Sequence, residues 1–119
     1  MPEIAAVRDA DKIIGRLQSE EKDIRLVVNR IRPQMVKEGS MLDMSQIDEI
    51  LSIPCIGQVP DDMKVVDSAN RGVPVVEWED SLAGQAYRDI VARVCGEDVP
   101  FRSLETEGLL GRLKHIFGR

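Results

Sequence analysis

The residues of this sequence best equipped to act on their surroundings are the last eleven, Leu-Leu-Gly-Arg-Leu-Lys-His-Ile-Phe-Gly-Arg. Leu109, Leu110, Leu113, Ile116 and Phe117 recur at helical spacing, so a helix here gathers them on one face. Arg112, Lys114 and His115 fall off that face, and no acid follows Glu107. A basic helix with a bulky apolar stripe suits a membrane interface, its side chains among acyl chains and its cations among anionic headgroups. The expected membrane contacts are Leu109, Leu110, Leu113, Lys114, Ile116 and Phe117. The segment is too short to span a bilayer. A C-terminal helix docked on a core would show the same periodicity, but it would not need the segregated positive charge.

Other chemistry is thinly represented. Cys55 and Cys95 have no CxxC neighbour and read as buried thiols of a reducing compartment. His115 is the only histidine, which argues against histidine metal sites and Ser-His or Cys-His catalysis. No glycine is followed by lysine, so the GK[ST] phosphate loop is absent. The net charge of −5 argues against nucleic acid as the main partner. There is neither a signal peptide nor a transmembrane run. The expected location is cytoplasmic, at the inner membrane surface.

The elements that must position these residues alternate. Apolar spacing predicts a helix over residues 4–17, with Arg8, Asp9, Asp11 and Lys12 on its polar side. The β-branched run 24–31 predicts a buried strand, closed by Pro33. A short helix is expected over 45–51, with Ser45 and Asp48 as its cap pattern. A second strand follows over 53–60, then a helix opened by Asp61 and Asp62 and stopped by Gly72. Residues 73–76 read as extended. Ser81 caps a last helix ending near Val94, with Leu82, Ala86, Ile90 and Val94 along one side. Apolar strands alternating with helices indicate a parallel α/β layered fold. Two strands are few for such a sheet, so the expectation is the second half of a larger domain, arising as a gene fragment, an internal start or a truncated form. The expected division is 1–96 for the partial α/β domain, 97–107 for a linker and 108–119 for the amphipathic helix. Met35, Met41, Met44 and Met63 read as core or loop packing.

Taken in order, residues 3–15, Val27-Val28-Asn29-Arg30, Gly57-Gln58-Val59-Pro60-Asp61-Asp62, Ser68-Ala69-Asn70-Arg71-Gly72-Val73-Pro74-Val75 and the tail resemble the MinD family. These are deviant Walker A ATPases that position bacterial cell division. The resemblance covers nearly the whole chain and implies the C-terminal half of a P-loop NTPase-type parallel sheet flanked by helices. It implies ATP or ADP with magnesium as the cofactor of the full-length family, and it would set Asn29, Arg30, Pro60, Asp61 and Asp62 around the adenine. An Asn amide can read a base edge and a proline can pack on a base face. The alternative is that Asn29 ends a strand and the two aspartates cap a helix. Arg8, Asp9, Asp11 and Lys12 would lie near the family's dimer interface and contact MinC- and MinE-like partners, although such charged faces are usually only solvated.

The family's lysine-bearing loop and its magnesium-holding switches have no counterpart here. Phosphoryl transfer depends on charge stabilisation of the phosphates, so the chain alone is expected to be inactive and to bind no nucleotide stably. Two other readings stand beside this one: a non-enzymatic membrane-bound interaction module, and half of another ParA-like or flagellar-number ATPase.

Overall fold

The structure, a computed structural model, describes residues 1–104. The tail residues Leu109, Leu110, Leu113, Lys114, Ile116 and Phe117 therefore lie outside the described residues.

Helix α1 spans Ile4–Ser19, two residues beyond the expected end. Val7 and Ile14 are its buried residues, two turns apart. Strand β1 (Leu26–Ile31) begins later than expected, where the Leu26 N–H donates to the Pro54 carbonyl at 2.9 Å and pairing with the second strand starts. A short helix α2, Pro33–Lys37, was not anticipated. Pro33 closes the strand and also opens this helix, because its fixed φ and missing N–H suit a first helical position.

Helix α3 (Met44–Leu51) takes a different cap from the one expected. The Asp43 carboxylate accepts the Gln46 N–H at 2.8 Å, and the Gln46 side chain accepts the Asp43 N–H at 2.9 Å. This reciprocal box satisfies two donors at once, which the Ser45/Asp48 frame does not. Strand β2 is Cys55–Pro60 and helix α4 is Met63–Arg71, closed by Gly72 in the left-handed region at φ 69°. The expected extended piece is instead a 3₁₀ turn, Val75–Glu77. Helix α5 (Leu82–Val94) starts at Ser81 as expected.

The turn forms because α5 comes close. A Cβ on Gly84 would lie 2.5 Å from the Val75 carbonyl oxygen and 3.1 Å from that of Trp78. Only a glycine lets the curled backbone rest there.

β1 and β2 pair in parallel. Val7, Ile14, Val28, Ile31, Ile47, Leu51 and Ile53 form one core cluster beneath α1 and α3. Val59, Ala83 and Ala86, with Tyr87 and Ile90 against them, form a second beneath α5. Adjacent strand residues face opposite ways, so the pair of strands serves both layers. Not every expected packing residue is covered. Leu82 is 40% exposed, Val94 70% and Met63 75%, while Met41 is buried. Cys55 is half-buried, but Cys95 is exposed beyond the end of α5, which corrects its reading as a buried thiol. Burial pushes the Cys55 thiol above its ordinary range, the bond with the Gly57 carbonyl opposing this only in part.

Candidate functional site

The register between the strands contains an irregularity with consequences. Val28 pairs with Gln58 and Ile31 pairs with Pro60. Three steps along β1 thus answer two along β2, which is a β-bulge. The extra residue returns Ile31 to the face of Val28, and both enter the same core cluster. Asn29 and Arg30 are displaced to the surface, both exposed. Arg30 takes φ 55°, the left-handed region. The Asn29 side-chain oxygen accepts the Arg30 N–H at 2.8 Å and so holds the distortion in place.

β2 ends beside this bulge. Pro60 is buried, and the Asp61 N–H donates to the Ile31 carbonyl at 2.8 Å. The Asp61 carboxylate accepts from Arg32 Nε at 2.7 Å and lies 3.8 Å from Arg30 Nε. Asn29, Arg30, Pro60 and Asp61 therefore converge at the C-terminal ends of two parallel strands. Open α/β sheets characteristically bind ligands at that end. Arg32 belongs to the same group and was missed in the sequence. Its proximity to Asp61 follows from strand pairing, although the alternation Arg30-Ile31-Arg32 was a signal.

Asp62 does a different job. Its Oδ1 accepts the Lys64 N–H at 2.9 Å, and its Oδ2 accepts the Ser81 hydroxyl at 2.6 Å and the Ala83 N–H at 3.2 Å. Ser81 Oγ in turn accepts the Gly84 N–H at 3.0 Å. One carboxylate thus ties the N-termini of α4 and α5 together, where helix dipoles favour negative charge. Partial burial works to raise the Asp62 carboxyl, and the bonds from Ser81, Lys64 and Ala83 outweigh it, so the group titrates below the ordinary range. The cap reading describes Asp62 well, and its oxygens point into the protein.

On α1, Arg8, Asp9, Asp11 and Lys12 are all exposed. Ile4 and Ile13 on the same helix are 52% and 61% exposed. Ile4 and Ile13 are about two and a half turns apart and so lie on opposite edges of the exposed side of α1, with Arg8, Asp9 and Lys12 between them.

Residues 97–104, within the expected linker, are held to α5. The Arg93 guanidinium donates to the carbonyls of Val99, Pro100 and Ile56 and lies 3.9 Å from the Phe101 ring centroid. Arg102 binds Asp89 at 2.7 Å, and this bond leads in holding the Asp89 carboxyl below its usual range. Among the described residues there is no cluster of metal-ligating side chains, and no helix is long and apolar enough to cross a membrane.

No family model matches the sequence. The chain is 45% identical over 121 residues to the septum site-determining protein MinD of Bacillus subtilis, covering 98% of this chain and 45% of the relative. It is 40% identical over 126 residues to MinD of Escherichia coli K12, covering 98% and 46%. The MinD cell division protein of Aquifex aeolicus superposes with a TM-score of 0.82 at 43% identity, over 86% of this chain and 44% of that one. The chain belongs to the MinD family. A MinC:MinD complex from Aquifex aeolicus matches equally, at a TM-score of 0.82. The chain spans less than half the length of these MinD relatives, an extent that fits the C-terminal part of the MinD fold. Its parallel sheet flanked by helices agrees with the MinD structures.

Proposed function

We propose that the chain is the C-terminal portion of a MinD-type, membrane-associated ATPase that places the bacterial division septum. The observation that carries the reading is the bulge, which sets Asn29, Arg30 and Asp61 at the ligand-binding end of the sheet beside a buried proline. These residues fit the base side of an adenine nucleotide. The Asn29 amide presents donors and an acceptor to a base edge, Pro60 an apolar surface and Arg30 a planar cation for stacking. ATP with magnesium would supply the phosphoryl group, and the described residues offer no cradle for it. In this role the chain orients the base and leaves hydrolysis to a phosphate loop elsewhere in the full-length protein.

The α1 face is the surface for MinC- and MinE-like partners or for a second copy. Its charged residues Arg8, Asp9 and Lys12 lie between exposed Ile4 and Ile13, so the surface offers charge complementarity flanked by an apolar side chain on each edge. The tail anchors the protein peripherally at the inner face of the bacterial membrane. Burial of its five large apolar side chains gives at most about 1.5–3 kcal/mol each, against about 1–2 kcal/mol per ordered residue. One tail is therefore marginal, and two on a dimer would gain avidity.

The test is nucleotide binding when the chain is joined to the phosphate-loop half of a MinD relative. Asn29→Ala should weaken ATP-analogue binding roughly three- to tenfold, equivalent to about 0.5–1.5 kcal/mol for one hydrogen bond. Unchanged affinity would remove the base-reading role. A second reading, a non-enzymatic interaction module, draws on the same α1 face and would survive that result.

A further inference from the structure

On the α3 side of the sheet lies an open cavity of about 210 Å³, floored by Val28, Ile31, Val36, Leu42, Met44 and Ile47. A cavity of ~150 Å³ with apolar walls accepts a benzene ring, so this one has room for a large apolar side chain. The chain itself arrives at its mouth. Arg93 carries residues 99–101 across the Ile56 carbonyl, and Leu104 then packs against the core cluster of α1 and α3. Arg102, Ser103 and Leu104 form part of the cavity wall. Leu109, the first residue of the apolar stripe, is five residues further on. At ~3.3–3.6 Å per residue it lies within about 18 Å of Leu104. The charges also match. Residues 33–51 carry Glu38, Asp43, Asp48 and Glu49 against Lys37, and the stretch after Leu104 carries Arg112, Lys114 and Arg119 against Glu105 and Glu107.

We propose that this groove is the intramolecular seat of the C-terminal segment 109–117. One large apolar side chain of its stripe enters the cavity, and its cations face the acidic α2–α3 segment, of which Asp43 lines the cavity. The proposal rests on reading the tail as an amphipathic membrane anchor. A stripe seated in the groove is withheld from lipid, so groove and membrane compete for the same side chains. The fraction of tails seated then lowers the apparent membrane affinity in proportion.

The test uses the full 119-residue chain. Phe117→Glu should move the methyl resonances of Val28, Val36, Leu42 and Ile47 while leaving those of Ala83 and Ala86 in place. Val36→Trp fills the groove without changing charge and should tighten binding to phosphatidylglycerol vesicles roughly three- to tenfold, as expected if most tails are seated. Unmoved groove methyls in Phe117→Glu would overturn the proposal. So would methyl shifts that grow with protein concentration, which would make a second copy the occupant. If Val36→Trp fails to fold, the methyl comparison still decides. Docking is read from the methyls and anchoring from the vesicles. Loss of vesicle binding in Phe117→Glu with unmoved methyls therefore sinks the groove alone, and undiminished vesicle binding sinks the anchor reading.

Discussion

Asp61 and Asp62 are neighbours of one residue type, yet they end in opposite situations. Asp62 is enclosed by Ser81, Lys64 and Ala83 and joins two helices. Asp61 faces outward and steadies Arg32, with Arg30 close by. The same contrast separates larger regions. The α4–α5 junction is finished: its helix N-termini are capped, Ser81 and Ala83 are fully buried, and a glycine admits the neighbouring backbone. The bulge and the outer face of α1 are unfinished, with charged groups and isoleucines offered to solvent. The junction is built for stability. The bulge and α1 have structural costs that the described fold alone does not need, and that is where binding is to be sought.

If the contrast holds, damage to the junction should cost most. Asp62→Ala removes a helix cap worth about 1 kcal/mol and bonds to a charged acceptor worth about 1.5–3 kcal/mol, a total of roughly 2.5–4 kcal/mol. The sign of the pH effect follows from the depressed carboxyl. Its contribution is fully present above the unfolded pKa of about 3.9 and is lost as pH falls through the lower folded value. Acid titration of stability should therefore be shallower in Asp62→Ala than in the parent. Denaturant melts at a series of pH values measure both effects, and equal acid slopes would remove Asp62 from its linking role.

Gly84 comes next. Its added Cβ would meet a backbone carbonyl at 2.5 Å, which cannot swing away, so Gly84→Ala should cost about 1–3 kcal/mol. Gly57 looks more crowded, with Ile90 Cδ1 at 2.4 Å. There the obstacle is the end of a flexible side chain, which can change rotamer. Gly57→Ala should therefore cost less than Gly84→Ala despite the shorter distance, and a reversed ranking in melting temperature would show α5 to be looser than described.

Much of the junction was legible in the sequence because capping is local. Ser81, Gly72 and the Asp62 cap on Lys64 each act within a few residues, whereas the bonds from Ser81 and Ala83 to Asp62 cross to another helix and leave no local signal. The α3 cap was misplaced since Ser45/Asp48 and Asp43/Gln46 both offer a plausible frame, and only the second closes both bonds. Val75 and Val76 pointed to extended backbone, but the approach of Gly84 imposed a turn. The bulge was not legible at all. It arises from a count mismatch between two strands and exists only once Val28 and Ile31 are pinned to one core. The grouping of Asn29, Arg30, Pro60 and Asp61 came from family resemblance, while Arg32 awaited the pairing itself.

Asp61→Asn tests the other side of the contrast. An exposed ion pair contributes about 0–1 kcal/mol, so stability should barely change. Arg30 and Arg32 would lose their shared anchor, and ATP-analogue affinity in the joined protein should change more than the melt does. A stability loss as large as that of Asp62→Ala would mean that the bulge depends on the ion pair and is not an independent site.

The smallest effect on stability is expected on α1, where it separates a binding face from a merely solvated one. Asp9 and Asp11 are exposed in mid-helix, and substitutions at such positions usually fall within about 0.5 kcal/mol. Reversing both to lysine removes two negative charges and adds two positive ones on a helix that already carries Arg8 and Lys12. The helix keeps its buried stripe of Val7 and Ile14, so the melt should hold. An interface built on these charges would respond differently, because like charge there slows association and deters the partner. Titrated against a MinC-like protein in the joined context, the double reversal should weaken binding about tenfold or more while nucleotide affinity stays constant. An unchanged partner affinity would return Asp9 and Asp11 to solvent and leave exposed Ile4 and Ile13 as the only sign of a contact there. A drop in stability would instead show that these acids hold α1 in place.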